Sequence, residues 1–316
     1  MKYVSCVNEL FRSEIDKLDE FVLYGQNVSA GSCLGGLTRD LEKSKGCSVF
    51  NVPNTENTLV GMGFGLMLSG TSSAYFMKQQ DFLLLGIDQL TNTNNFVRQH
   101  APAASFTIVC IAMDAGYEGI QSSLNNLPDF CAIANCKGYT ISSKQDAELI
   151  IGQCFTKPGF RLISVSQRLF ATEMLDIRNA TAVDDEFILR YREGKSATIA
   201  CSNFSLPQGK KLCDQFAQYG LDTSLYGITA AHPGSYDSIV DDAKNAGRLL
   251  IIDDSKSYSS ANALLELGAL RAGVGIVKVV KRRITEDSYR PHSEIFDLDI
   301  ADVAQQLNLP LQVTKV

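Results

Sequence analysis

The stretch Asn51–Gly70, NVPNTENTLVGMGFGLMLSG, places one carboxylate, Glu56, directly before an apolar run that is rich in small residues. Gly61, Gly63 and Gly65 alternate within that run. Each glycine in a helix interior costs roughly 1 kcal/mol relative to alanine, so we expect the close approach of another helix or of a ligand to offset the loss. Taken alone, Glu56 is more simply explained as a helix-terminal acid, which the helix dipole favours.

The surroundings of Glu56 favour a functional role, because they resemble a known family. Residues 25–56 read GQNVSAGSCLGGLTRDLEKSKGCSVFNVPNTE, and the pair Asp81-Phe82 and the run Ile87–Leu90 follow. These segments are similar to the pyrimidine-binding domain of thiamine diphosphate enzymes, in particular the β subunit of 2-oxo acid dehydrogenases. A glutamate of that family hydrogen-bonds the aminopyrimidine ring of the cofactor, and Glu56 matches its place. The opening residues Val7–Glu14 resemble the first helix of the family, and the resemblance covers roughly the whole chain.

The alternation of segments predicts an α/β fold with a parallel sheet. Short apolar runs bounded by turn residues alternate with longer helical patterns, which is typical of a parallel sheet with crossover helices. The resemblance implies a pyrimidine-binding domain over residues 1–175, a linker over 176–194 and a smaller α/β domain, similar to the C-terminal domain of transketolase, over 195–316. For the first domain we predict strands at Phe21–Tyr24, Ser48–Val52, Ser73–Phe76, Phe106–Ala112, Gly138–Ile141 and Arg161–Val165, and helices at Val7–Leu18, Leu34–Lys43, Thr58–Ser69, Phe82–Thr91 and Lys144–Phe155. For the second domain we predict strands at Ala197–Cys201, Asp222–Gly227, Arg248–Asp253 and Gly275–Val280, with helices at Leu206–Tyr219, Tyr236–Ala246 and Ser259–Gly273.

Composition narrows the functional classes. The 316 residues carry a net charge of −6, and no basic run appears, which argues against a nucleic-acid surface. No apolar stretch reaches the length of a membrane span, and the N-terminus lacks the apolar block of a signal peptide. We therefore expect a cytoplasmic protein with no membrane partner, whose nine cysteines are reduced and mostly buried.

The resemblance implies that Glu56 is the catalytic carboxyl group of a thiamine diphosphate site. Activation of that cofactor requires a carboxyl group in an apolar pocket that shares a proton with N1′ of the pyrimidine ring. The family also supplies a stacking aromatic a few residues before the Asp81-Phe82 element. Gln79 or Gln80 stands in that place, while Phe82 remains as an aromatic and could equally be a core residue. We expect Glu56, Phe82, Gln79 and Gln80 to bind the cofactor.

Several charged or titratable family positions are neutral in this chain. The family carries a histidine in the loop that corresponds to residues 116–130, where this chain has Gln121 and Ser122 instead. Gln26 replaces the glutamate of an acidic pair after the first strand, and His100 ends a helical segment that could lead toward the pocket. We expect Gln121, Ser122, Gln26 and His100 to contact a small-molecule substrate, with chemistry that is altered or weakened by the missing histidine.

The chain can supply only half of such a site. The Mg²⁺ and diphosphate motif of the family, G-D-G followed by N-N, is absent from the sequence. The resemblance therefore implies a separate α-type chain that carries this motif and binds the Mg²⁺. It also implies that the present chain associates with itself and forms a heterotetramer with the α-type chain. We predict no metal site on the present chain. Arg168 matches a basic position of the family and is expected to form an interdomain salt bridge.

Three functions are compatible with this pattern. The first is a β-type subunit of a two-chain enzyme that cleaves a C–C bond of a 2-oxo acid or ketose and transfers the acyl or aldehyde unit. The second is the C-terminal half of a split transketolase. The third is a non-catalytic subunit that keeps the fold for assembly or regulation.

Overall fold

The structure is a computed structural model that describes residues 1–117, 123–184, 187–257, 262–282, 290–294 and 296–311. It contains two six-stranded sheets and a two-stranded ribbon. The strands are β1 (Phe21–Gly25), β2 (Cys47–Asn51), β3 (Ser73–Met77), β4 (Ser105–Ala112), β5 (Gly116–Tyr117), β6 (Lys137–Ile141), β7 (Gly159–Ser166), β8 (Thr181–Val183), β9 (Ile188–Arg192), β10 (Ala197–Ser202), β11 (Thr223–Ile228), β12 (Arg248–Asp253), β13 (Ile276–Lys281) and β14 (His292–Ser293). The α-helices are α1 (Tyr3–Ile15), α2 (Glu56–Leu68), α3 (Asn94–Val97), α4 (Leu127–Ala134), α5 (Lys144–Cys154), α6 (Leu206–Gln218), α7 (Asp237–Ala246), α8 (Asn262–Arg271) and α9 (Ile300–Gln306).

The first sheet is parallel throughout, in the order β2-β1-β3-β4-β7-β6. Its central strands are buried along their whole length, as in β4, because helices cover both faces. One apolar core lies on the side of α1 and α5, and a second lies on the side of α2 and α4. The predicted α/β fold with a parallel sheet is therefore confirmed.

One predicted helix of the first domain is wrong. Residues 34–43 form two short 3₁₀ turns, Leu34–Gly36 and Leu41–Lys43, instead of a continuous α-helix. The backbone has positive φ at Gly35, Gly36 and Asp40, which a right-handed helix does not allow. Side chains from elsewhere hold this loop, since Asn8 donates a hydrogen bond to the carbonyl oxygen of Leu37 (2.9 Å).

The helical segment between β3 and β4 is longer and less regular than predicted. It begins as a 3₁₀ helix at Gln80–Gly86, passes through a π-helical turn at Gln89–Thr93 and ends in α3 and a 3₁₀ turn at Arg98–His100. It starts at the carboxyl end of β3 and returns to the amino end of β4, as a crossover between parallel strands must.

The second sheet has the order β13-β12-β10-β11-β9-β8. Strands β10 to β13 are parallel, whereas β9 and β8 add to one side in antiparallel pairs. These two strands lie within residues 176–194, the segment interpreted from sequence as a linker. The second sheet thus begins inside that segment, and the strands escaped notice because they are short and lie among polar residues.

A salt bridge of Arg168 joins the two domains. Its guanidinium pairs with Asp254 of the second domain and lies 3.4 Å from Asp114 of the first, and both carboxylates are fully buried. Asn203 donates hydrogen bonds to Asp254 and to the side chain of Asn125, at 2.9 Å each. The predicted interdomain salt bridge of Arg168 is confirmed.

Candidate functional site

Glu56 is the first residue of α2 and lies beyond the carboxyl end of β2. Strands β2, β1 and β3 are adjacent and parallel, so the segments that follow them meet at one edge of the sheet. Gln26 follows β1 at this edge, and Gln79 follows β3. Ligands of open parallel sheets bind in the crevice at the carboxyl ends of the strands, which makes this edge the candidate site.

The Glu56 side chain is buried and lacks a partner. The residue is 5% exposed, and no hydrogen bond or ion pair from the described part of the chain reaches its carboxylate. A carboxylate that is largely enclosed and has no protein partner depends on solvent or on a ligand for its hydrogen bonds. The carboxylate oxygens of Glu56 are not among the fully buried, unpartnered side-chain atoms of the described chain, so they keep contact with solvent at this edge. This environment would allow the carboxyl group to form a hydrogen bond with a ligand bound at the candidate edge.

Two stacked tyrosines lie near Glu56. The rings of Tyr24 and Tyr75 are 5.2 Å apart and nearly parallel, and the Tyr24 hydroxyl donates to the carbonyl oxygen of Leu59 in α2 (2.8 Å). Burial raises the pKa of Tyr75, and the nearby charge of Glu56 raises it further. Sequence reasoning did not identify this pair; the signal was the position of both residues on neighbouring strands that lead to the candidate edge.

The glycines of α2 have different neighbours. A Cβ atom on Gly63 would lie 2.2 Å from ring atoms of Phe106, and one on Gly61 would lie 3.3 Å from the Gln89 side chain. A Cβ on Gly65 would meet nothing within 4 Å. The expected close approach thus exists at Gly63 within this chain, whereas Gly65 faces outward beside the exposed Met62.

Gln80 is a structural residue of the interior. Its amide donates to Ser164 at 3.0 Å and accepts from the backbone of Asn126 at 2.6 Å, and its side chain is fully buried. These hydrogen bonds hold it between β7 and the start of α4. Gln79 is half-buried and extended, and Phe82 packs in part against the second core of the first domain. Of the three residues predicted to wall the cofactor, Gln79 is the one whose side chain is not engaged in such contacts.

The predicted substrate residues are only partly brought together. Gln26 is half-buried at the same edge as Glu56. His100 is exposed at the end of the crossover, beside Phe96, and so lies toward the amino end of β4, at the opposite edge of the sheet. The crossover carries His100 away from Glu56, and the structure does not place it in this site. Gln121 and Ser122 lie outside the described residues.

Asp81 contributes a half-buried carboxylate near the carboxyl end of β3. It accepts a hydrogen bond from the backbone of Leu124 (3.4 Å), and its second oxygen has no partner among the residues that the structure covers. Burial raises its pKa, and hydrogen bonds from the backbone oppose the rise. The loop after β4, which carries Leu124, is therefore tied to the same edge of the sheet.

The comparisons with known proteins confirm the resemblance to β subunits. No family model matches the chain. The chain is 21% identical over 291 residues to the β subunit of acetoin:2,6-dichlorophenolindophenol oxidoreductase from Cupriavidus necator, covering 86% of each protein. It is 21% identical over 264 residues to 2-oxoisovalerate dehydrogenase subunit beta 2, mitochondrial, from Arabidopsis thaliana, covering 79% of this chain and 72% of the relative.

A comparison of folds gives the same architecture. A solved structure described as a split gene transketolase, inactive β4 tetramer, matches with a TM-score of 0.61, covering 97% of this chain and 93% of that one at 10% identity. The whole arrangement of two α/β domains is therefore shared with a transketolase-type fold. Within the described ranges, no helix is long and apolar enough to cross a membrane.

Proposed function

We propose that the chain is the β-type subunit of a two-chain thiamine diphosphate enzyme and supplies the pyrimidine-binding half of its active site. The enzyme would cleave a C–C bond of a 2-oxo acid, or of a ketose, and transfer the acyl or aldehyde unit. The relatives that support this proposal are β subunits of an acetoin oxidoreductase and a 2-oxo acid dehydrogenase. Thiamine diphosphate, when bound, supplies a carbon nucleophile for attack on the substrate carbonyl.

The single observation that carries the proposal is the largely buried side chain of Glu56, whose carboxyl group has no partner among the described residues and stays accessible at the candidate edge. Its surroundings fit the pyrimidine end of this cofactor, since a ring nitrogen would give it the hydrogen bond that the described chain does not provide. Glu56 would share a proton with N1′ of the ring. The half-buried Gln79 and Gln26 would line the same edge, with Gln79 against the face of the ring in place of an aromatic.

The outward face of α2 supports a partner chain. Met62 and Leu68 are exposed on this helix, Gly65 has open space beside it, and Leu84 and Leu85 are exposed on the adjoining 3₁₀ helix. An α-type chain with a G-D-G…N-N motif would cover this apolar surface and bring Mg²⁺ and the diphosphate contacts. The complex would then be a heterotetramer, with self-association of this chain.

A non-catalytic assembly or regulatory subunit is the second candidate. One observation favours it: Gln80, one of the two residues that could stand in place of the family's stacking aromatic, is used entirely in the interior. A site without that wall would bind the cofactor weakly. Tests on Glu56 separate the two functions, because only a catalytic subunit depends on its ability to exchange a proton.

The experiment compares the parent with Glu56→Gln in complex with the α-type chain. The amide still accepts or donates a hydrogen bond but cannot exchange a proton with the ring, so we expect a loss of roughly 10²–10⁴ in the rate of hydrogen–deuterium exchange at C2 of the bound cofactor. Calorimetry should show cofactor binding in the parent complex and none of micromolar strength in the lone chain. A variant complex that exchanges C2 as fast as the parent would show that Glu56 is only a helix-terminal acid.

A further inference from the structure

A cleft at the opposite edge of the first sheet concentrates positive charge. The cleft lies at the amino ends of β6 and β7. Four of the residues that line it are cations: Arg98, Lys137, Lys157 and Arg161. Among the described residues, no carboxylate lines this cavity, and none of the four cations has a salt bridge to an Asp or Glu of that part of the chain. This pattern is notable in a chain whose net charge is −6.

Arg161 is the fixed centre of the cluster. It is 5% exposed, and its guanidinium donates hydrogen bonds to the carbonyl oxygens of Pro158 (2.9 Å) and Phe155 (3.4 Å) at the end of α5. Burial lowers its pKa to about 10, so the group is still charged at neutral pH. The helix end accounts for the position of Arg161, but it does not neutralise the lysines around it.

The cations converge on one place. Cys154 lies in the wall of the cleft, where burial raises the pKa of its thiol and the charges of Arg161, Lys157 and Lys137 lower it. Arg98 reaches across from the preceding crossover and donates to the carbonyl oxygen of Asn135 (3.3 Å), which also lines the cavity. These contacts place all four positive charges around one cavity of about 300 Å³.

A second cavity continues from the first and lies between the two domains. It has a volume of about 730 Å³ and shares Asn135, Cys136, Lys137, Tyr139 and Phe187 with the basic cavity. The pairing of Tyr139 in β6 with Ala230 forms part of its wall. Small-molecule sites typically occupy about 300–1,000 Å³ and often lie at domain junctions, so each of the two adjoining cavities has the size of a metabolite site.

We propose that this cleft binds a phosphorylated small molecule, with the phosphate among Arg98, Lys137, Lys157 and Arg161 and the organic part in the interdomain cavity. A phosphomonoester carries about two negative charges at neutral pH and accepts several hydrogen bonds. A ligand with this group therefore suits a cluster of four cations better than a ligand with a single carboxylate. The site is independent of the Glu56 proposal, because it lies at the amino ends of the strands rather than at their carboxyl ends.

The test measures binding of inorganic phosphate, glucose 6-phosphate and glucose to the full chain by calorimetry. We expect a dissociation constant of about 1 mM or tighter for glucose 6-phosphate, weaker binding of inorganic phosphate, none of glucose, and a loss of affinity with added salt. Absence of binding at ten times that concentration would overturn the site. Equal affinity for glucose 6-phosphate and inorganic phosphate would overturn the role of the interdomain cavity.

Variants locate the binding. Lys157→Gln and Lys137→Gln change exposed side chains. Each should weaken the binding of glucose 6-phosphate by at least about five-fold, which is the effect of one pair of unit charges near 4 Å in water. Lys45→Gln, which removes an exposed lysine elsewhere, is the matched control and should bind as the parent does. If all three variants bound glucose 6-phosphate with the same affinity, the ligand would bind outside the cleft.

The acidic residues Asp185 and Glu186 precede Phe187 in sequence and lie outside the described residues. Their effect on binding is therefore tested with a separate variant. The double variant Asp185→Asn/Glu186→Gln should bind glucose 6-phosphate as tightly as the parent or more tightly, because it removes two negative charges that directly precede Phe187 in sequence. Weaker binding would mean that these carboxylates hold the ligand, and the assignment to an anion would then be wrong.

Discussion

Alanine substitutions at Gly63 and Gly65, two residues apart in α2, should change stability in opposite directions. At Gly63 the new Cβ would lie 2.2 Å from two ring atoms of Phe106. That ring is fully buried and packed between Phe64 and Phe160, with centroid distances of 5.1 and 5.2 Å, so it has little room to move. Overpacking of a core typically costs about 1–3 kcal/mol, against a helix-propensity gain of about 1 kcal/mol. We expect Gly63→Ala to lower the free energy of unfolding by up to about 2 kcal/mol.

Gly65→Ala is the matched substitution without the clash. Its Cβ would meet nothing within 4 Å, so only the propensity term remains, and we expect the lone chain to gain about 0.5–1 kcal/mol. Urea unfolding of both variants measures the difference from the shift in midpoint at constant m-value. If Gly63→Ala were as stable as Gly65→Ala, the packing of α2 on β4 described above would be incorrect.

Two further predictions concern buried acids. Arg168→Met removes the cation that pairs with Asp254 and lies beside Asp114. Because this leaves buried carboxylates uncompensated, we expect the free energy of unfolding, measured in urea, to fall by about 3–5 kcal/mol. Arg178→Met changes an exposed arginine and is the control; an equal effect of the two substitutions would contradict this expectation. Burial raises the pKa of Asp146 to about 6, while hydrogen bonds from Tyr191 and the Ser142 and Ser143 backbone oppose the rise. The folded chain therefore binds more protons than the unfolded chain between about pH 4 and about pH 6, and stability falls as the pH rises through this window. Asp146→Asn keeps a hydrogen-bond acceptor but has no carboxyl group to titrate. The free energy of unfolding of this variant, relative to that of the parent, should therefore rise by about 2–3 kcal/mol between about pH 4 and 7. Identical pH profiles of the two proteins in urea unfolding would refute the raised pKa of Asp146.

The sequence alone determined the fold class and the strands of the first sheet. Strands such as β4 are apolar runs bounded by turn residues, and their identity depends on local composition, which can be read without tertiary contacts. The start of α2 and the place of Glu56 at its first turn were also predictable, because the small-residue run and the resemblance mark them. Residues 34–43 were mistaken for a helix, because their pattern allowed one and only the side chains that hold the loop decide its positive φ values.

The tertiary structure decided what each candidate side chain does. Gln79 and Gln80 are identical neighbours in sequence, but only the packing of β7 and α4 sends Gln80 into the interior. His100 is far from Glu56 because a crossover between parallel strands must return to the other edge of the sheet. The burial of Glu56 without a partner and the convergence of Arg98, Lys137, Lys157 and Arg161 join residues distant in sequence. Such sites depend on long-range geometry, which local patterns along the chain do not encode.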